Sequence, residues 1–291
     1  MRLLAADWVR FGRRRDLRLV VALVPVILAV MFVMEFNTAT TPPQADFFFD
    51  PPDPVAEADM RAQMLAEWRN RLVVELPAFA FPASLVKVAG NIGPLALLAI
   101  YLAIALVAAE FEWGTVRTLH LTSSRGRTLA ARTGVVVGMV AVATALGLVL
   151  AAIIPFLLSV EGRPLQDYAE PVPGLLSEVG VRILAVLPFV AIPILIAVLT
   201  RSMTLAFLLI VLFFVADLAL TGSAQFWQAS PLPWVPAVMV TGSISRLLLG
   251  SEDQFLASLA PRSVSLVALL AWSVLPVVAA IARFRRIDIN E

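Results

Sequence analysis

The sequence predicts an all-α integral membrane protein with six transmembrane helices, and three observations carry that prediction. Hydrophobic residues make up 60% of the 291-residue chain and charged residues only 15%, with a mean hydropathy of +0.90. A soluble domain is about half apolar and a quarter charged. The apolar residues gather into six runs, each near the roughly 20 residues that a helix needs to cross the hydrocarbon. The charges, nearly balanced at a formal +1, are segregated between alternate connections.

Residues 1–16 precede the first run. Leu4, Trp8 and Phe11 fall at i, i+4 and i+7, with Arg10, Arg13 and Arg14 on other faces. That pattern predicts an interfacial helix with its Trp at headgroup level. The basic region is too long for a secretory signal, and no small-x-small cleavage site follows the apolar run, so the segment is expected to be retained. The first span covers about Leu17 to Phe36.

Residues 37–83 form an external loop. It opens with the extended, Pro-rich TATTPPQADFFFDPPDP and continues into an amphipathic helix. There Met60, Met64 or Leu65, Trp68 and Leu72 repeat at helical spacing. The second span is expected at Ser84–Ala109, followed by a connecting loop at 110–133 and a third span at Gly134–Val160. A shorter acidic loop at 161–179 leads to the fourth span, Gly180–Thr200. Only Arg201 and Ser202 separate it from the fifth, Met203–Gly222, so those two form a tight helical hairpin.

Residues 223–262 contain ASPLPWVPAVMVTG, an apolar run too short to span and broken by three prolines. This predicts a re-entrant or interfacial element with Trp227 and Trp234 as anchors. The sixth span is Ser263–Ala282. The whole chain thus forms one transmembrane domain.

Arginine placement orients it. With both termini on one side, that side carries Arg2, Arg10, Arg13, Arg14, Arg15, Arg18, Arg117, Arg125, Arg127, Arg132, Arg201, Arg283, Arg285 and Arg286. Residues 37–83 on the other side are rich in Asp and Glu. The positive-inside rule therefore places both termini in the cytoplasm.

Several functions are excluded. With no Cys and one His, His120, neither a disulfide nor a Cys nucleophile nor a His-rich metal site is available. The only lysine is Lys87, in SLVKVAG, so there is no phosphate-cradling G-x-x-x-x-G-K-[ST] loop, and the chain is not expected to hydrolyse ATP itself. No G-x-S-x-G elbow and no acidic partner for Asp217 appear, which leaves little for a membrane enzyme. No nucleic-acid partner is expected.

Residues 110–133 are the one substantial cytoplasmic connection. Gly114 and Thr115 supply a bend and an N-cap hydroxyl for a short crossing helix, with Val116 and Leu119 on one face and Arg117 and Thr118 beside them. Glu110 and Glu112 stand where the positive-inside trend would place Arg or Lys.

The run AAEFEWGTVRTLHLTSSRGRTLAARTG resembles the signature of permease subunits of the type-2 ABC exporter family, through Glu110, Phe111, Gly114, Thr115, Arg117, Leu119 and Arg125. The closing ARFRRIDINE is similar to the family's usual end, through Arg283, Arg285, Arg286, Asp288 and Ile289. Three positions differ from the family pattern: Ser123 replaces a proline, His120 a second Leu, and Arg132 a Lys.

The resemblance implies an ATP-driven exporter in a prokaryotic plasma membrane, in which residues 110–133 hold a coupling helix seated on a separate ATP-binding subunit. Glu110, Phe111, Glu112, Gly114, Thr115, Arg117, Thr118, Leu119, Arg125 and Arg127 would form that interface. Two ATPase copies would carry the ATP and Mg, this chain would carry no cofactor, and a second permease, identical or homologous, would complete the complex within membrane lipid. Without the resemblance, an ion-gradient-driven secondary transporter and a structural or sensory membrane protein stay open. The first of these predicts broken helices in matching halves of an internal repeat.

Asp217 is the one charged residue away from the ends of a span. It is expected either to pair with Arg182 or Arg246 or to line the translocation path. Glu35 and Lys87 are expected to pair at the external ends of their spans. Pro25, Pro94, Pro155, Pro188, Pro193 and Pro276 are expected to kink their helices. The apolar walls suit lipid, peptide or hydrophobic drug cargo equally.

Overall fold

The computed structural model describes residues 8–9, 14–43, 54–108, 111, 125–223, 232–248 and 261–286, with residues 54 and 125 described by backbone alone. The helices are α1 (Arg15–Thr40), α2 (Pro54–Phe79), α3 (Ala83–Gly90), α4 (Ile92–Ala103), α5 (Arg125–Ile153), α6 (Leu175–Leu184), α7 (Pro188–Thr200), α8 (Met203–Gly222), α9 (Val235–Val238), α10 (Val240–Leu248) and α11 (Arg262–Arg286). A π-helical turn, Ile104–Ala108, extends α4.

Among the described residues, five helical stretches are long and apolar enough to cross a membrane: Arg15–Thr40, Gly126–Leu157, Leu175–Thr200, Met203–Gly222 and Arg262–Arg286. The protein is a multi-pass, helical membrane protein. The expected second span is not a single helix. Asn91 divides it into α3 and a shorter apolar helix, Ile92–Ala108. Pro94, three residues beyond the break, has no N–H to return to the carbonyl of Gly90, and a helix tolerates that only in its first turn.

Two segments fix the direction of the bundle. Trp8 lies beside Gly138 and Leu28 beside Gly147, so α1 and α5 run the same way. A Cβ on Gly138 would come within 2.8 Å of the Trp8 ring, so the missing side chain makes the slot that the indole fills. Gly126, at the start of α5, lies against Arg285 in the last turn of α11. The beginnings of α1 and α5 and the end of α11 therefore share one face, here the terminal face. The rest of the expected interfacial helix, with Leu4 and Phe11, lies outside the described residues.

The core forms around α4 and its π turn, where Leu95, Ala99, Leu102, Ala103, Leu106 and Ala108 are buried. They meet α5, α7 and α8, and α7 packs chiefly on α11. Lipid tails are as apolar as Leu, so helices here associate through close van der Waals packing, and small side chains let the backbones approach. Ala143, Ala191, Ala197, Ala206 and Ala280 supply that contact on the neighbouring helices. By contrast, α8 buries only Ala206, Ile210 and Asp217 and leaves Phe207, Leu208, Leu212 and Val215 exposed.

The amphipathic helix of the first long loop is present as α2. Its inward stripe is Met60, Met64, Trp68, Leu72, Leu76 and Phe79, while Leu65 faces outward. α2 meets α3 at a bend of 86°. A small antiparallel hairpin, β1 (Ser159–Val160) and β2 (Arg163–Pro164), departs from the all-α expectation. Its turn places Glu161 and Gly162 at φ 50° and 79°, the paired positive values of a tight hairpin turn. Just beyond it, Gln166 clamps the bend: its Nε2 donates to the Phe81 carbonyl at 2.7 Å and its Oε1 accepts from the Phe81 N–H at 3.2 Å.

The prolines act unequally. Pro25, Pro193 and Pro276 sit inside unbroken helices. Pro155 begins a 3-10 turn after α5, and Pro188 opens α7 after the break at residues 185–187. The hairpin at Arg201 and Ser202 forms as expected. Arg201 takes a left-handed conformation (φ 55°), and the Ser202 hydroxyl caps α8 by accepting from Leu205 N at 3.5 Å.

Candidate functional site

Three places collect polar chemistry. On the terminal face, Phe111 meets Phe284 edge-on, with ring centroids 5.7 Å apart at 86°. Gly126 lets the Arg285 guanidinium lie across the first turn of α5, since a Cβ there would stand 2.7 Å from Arg285 Nε. The two segments that carry the family resemblance, distant in sequence, therefore meet at one end of the bundle. Arg127 is exposed beside them, and Arg125 opens α5. Glu110, Glu112, Gly114, Thr115, Arg117, Thr118 and Leu119 lie outside the described residues, as do His120 and Ser123.

Sequence reasoning missed two residues here. Phe284, 2% exposed, is the packing partner of Phe111. Arg132, counted as a surface positive charge, is 1% exposed and sits one turn beyond buried Thr128 and Leu129. A basic residue just before an apolar run looks the same in sequence whether it faces solvent or the bundle.

The second place is a broken helix, α9 and α10, interrupted at Met239. The backbone there is extended (φ −65°, ψ 162°). A break inside a bundle exposes N–H and C=O groups that must find partners. Asp217, on α8 and fully buried, supplies the acceptors. Its Oδ1 accepts from Val240 N at 2.9 Å and its Oδ2 from Thr241 N at 2.8 Å. The Thr241 hydroxyl also donates to Oδ2.

Carbonyls on the other side of the break are met by the Ser243 hydroxyl, 3.0 Å from Ala237 O, the Ser265 hydroxyl, 3.4 Å from the same oxygen, and Trp272 Nε1, 2.9 Å from Val238 O. Gly242 allows the two halves to fold together, because a Cβ would collide with the Pro236 carbonyl. This element falls within residues 223–262, where the sequence predicts a re-entrant or interfacial segment. Trp234, the described one of its two aromatic anchors, is 47% exposed.

The partners of Asp217 are thus not the arginines that the sequence suggests. Arg182 is engaged with Glu178 at 2.5 Å, and the carboxylate of Asp217 is directed at backbone amides. A carboxylate at a helix N-terminus is favoured by the unpaired N–H groups and the helix dipole together.

The third place is a groove of about 1380 Å³ at the opposite end of the bundle, between the end of α1, the C-terminal half of α2, and α3, with Arg182 and Leu248 closing it. The expected ion pair forms in it: Lys87 Nζ is 2.9 Å from Glu35 Oε2 and 4.2 Å from the centre of the Phe79 ring. Asn91 Nδ2 donates to the other Glu35 oxygen at 3.2 Å.

Among the described residues no group of three metal-ligating side chains comes together. Comparisons with protein-family models, curated proteins and solved structures find no match.

Proposed function

We propose that the chain is the membrane subunit of an ATP-driven exporter of the type-2 ABC kind, with both termini in the cytoplasm of a prokaryotic cell. One observation carries the reading. Phe111 and the start of α5, which bracket the motif-like loop, are packed on Phe284 and Arg285 from the second motif-like segment. A loop anchored at both ends against the last helix is suited to pass a displacement into the bundle. The π turn at Ile104–Ala108, buried among α5, α7 and α8, lies just before it. Such turns recur at functional sites within helices.

In this reading Arg117, Arg125 and Arg127 make charge-assisted bonds to acidic groups of an ATP-binding subunit, and Leu119 fills an apolar pocket there. ATP and Mg belong to that partner, present in two copies beside a second permease. An ion-gradient transporter would use a helix break such as Met239 to coordinate its ion. Here the amides and carbonyls of the break are taken by Asp217, Ser243, Ser265 and Trp272, which favours a structural role for Asp217 over a place in the path.

The test is co-expression with any P-loop ATPase found encoded in a neighbouring reading frame. Glu112→Ala with Arg125→Ala is expected to abolish co-purification and stimulated ATP turnover while leaving the chain folded. Intact pull-down and turnover in that variant would sink the reading.

A further inference from the structure

The groove opposite the terminal face combines two surfaces that seldom meet by chance. Its wall is apolar, formed by Met34, Trp68, Val74, Phe79 and Val86. At Met34 it runs without interruption into the exposed stripe of α1, where Val30, Ile27, Val26 and Leu23 repeat at helical spacing. A hydrocarbon chain lying on α1 would therefore enter the groove with no polar barrier.

The polar lining carries an excess of positive charge. Lys87, Arg71 and Arg182 face it against Glu35 and Glu75. Both acids are engaged: Glu35 with Lys87 and Asn91, and Glu75 with Arg71 at 2.5 Å. Glu178, just outside, is shared by two arginines, Arg182 at 2.5 Å and Arg262 at 3.4 Å. One carboxylate between two guanidinium groups leaves a positive charge uncompensated. Arg182 lies against Gly90 in the groove, its Nε 3.4 Å from where a Cβ on that residue would stand. Lys87 stands one helical turn before Gly90 on α3, so its ammonium and the guanidinium flank the same face. Lys87 uses one donor on Glu35, and an ammonium has three.

We propose that this groove binds an acidic phospholipid, with the phosphate between Lys87 and Arg182 and an acyl chain along Met34 and the stripe of α1. The cations supply charge-assisted bonds to the phosphate, and the acids, already satisfied, do not repel it as free carboxylates would. The proposal does not rest on the export reading, because its measurement needs neither ATP nor an ATPase.

Native mass spectrometry of the full chain in detergent tests it, with phosphatidylglycerol and phosphatidylcholine of matched acyl chains as probes. The chain is expected to retain phosphatidylglycerol over phosphatidylcholine by roughly tenfold, as two cations near a headgroup imply. Lys87→Gln with Arg182→Gln is expected to equalise the two lipids. Arg15→Gln with Arg18→Gln, on the terminal face, is expected to preserve the preference. Should the neutral pair fail to fold, Val74→Glu serves in its place: Val74 lines the groove and is 78% exposed, so the new carboxylate is expected to remove the preference without disturbing packing. Equal retention by the unaltered chain would overturn the proposal. So would a preference that survives Val74→Glu, one lost in the terminal-face variant, or displacement of the lipid by millimolar inorganic phosphate.

Discussion

Two helix breaks, at Asn91 and at Met239, are each served by an acid from an earlier helix, and they use that acid differently. At Met239 the break is enclosed, and Asp217 accepts from the backbone N–H groups that open α10. At Asn91 the break opens on a groove, where Glu35 meets the side chains of Lys87 and Asn91 and is itself 42% exposed. The Asn91 N–H is already satisfied by the Val88 carbonyl at 3.1 Å. A carboxylate that completes a buried backbone is part of the fold. One that pairs side chains at a wet surface contributes little to it.

That contrast is broken or sharpened by four substitutions, each read by SDS-induced unfolding of the purified chain. Asp217→Ala strands one buried and one half-buried amide and is expected to cost the most, roughly 3–5 kcal/mol at 1–3 for each unsatisfied group plus the cavity. Asp217→Asn keeps one acceptor oxygen and is expected to recover about half of that loss. Gly242→Ala drives a methyl group into the Pro236 carbonyl, and overpacking against backbone is expected to cost about 1–3 kcal/mol. Glu35→Gln is expected to cost less than about 1 kcal/mol, and less again at high salt. A loss for Glu35→Gln as large as that for Asp217→Ala would erase the distinction between the two breaks.

Much of the architecture is legible in the chain because apolar run length is a direct record of bilayer thickness. α1, α8 and α11 lie close to where the runs predict them, whereas α5 begins at Arg125 rather than Gly134 and takes in the end of the expected 110–133 loop. The two-residue separation at Arg201 forces the hairpin. The division at Asn91 is hidden, because Ile92, Leu95 and Leu98 continue the apolar run straight across it. The stripe on α2 left Met64 and Leu65 equivalent by spacing, and only packing against the bundle selects Met64. The partners of Asp217 were illegible for a different reason. A sequence displays charged side chains such as Arg182 and Arg246 as candidate mates, but it does not display which backbone amides a broken helix will leave open. The terminal-face residues are legible only as motif; what brings Phe111 to Phe284 is the packing of α5 on α11.

The connection at Arg201 and Ser202 also bears on biosynthesis. With two residues between them, neither α7 nor α8 has the slack to enter the bilayer separately, so the pair must be delivered as one unit. α7 is largely covered by its neighbours and α8 is largely bare, so the hairpin arrives with one leg made for protein and the other for lipid. During assembly the apolar side chains of α8 can wait against lipid, although Asp217 meets its amides only once α10 follows. Meanwhile α7, joined to α8 by a single turn, is held beside the place where α11 will later dock.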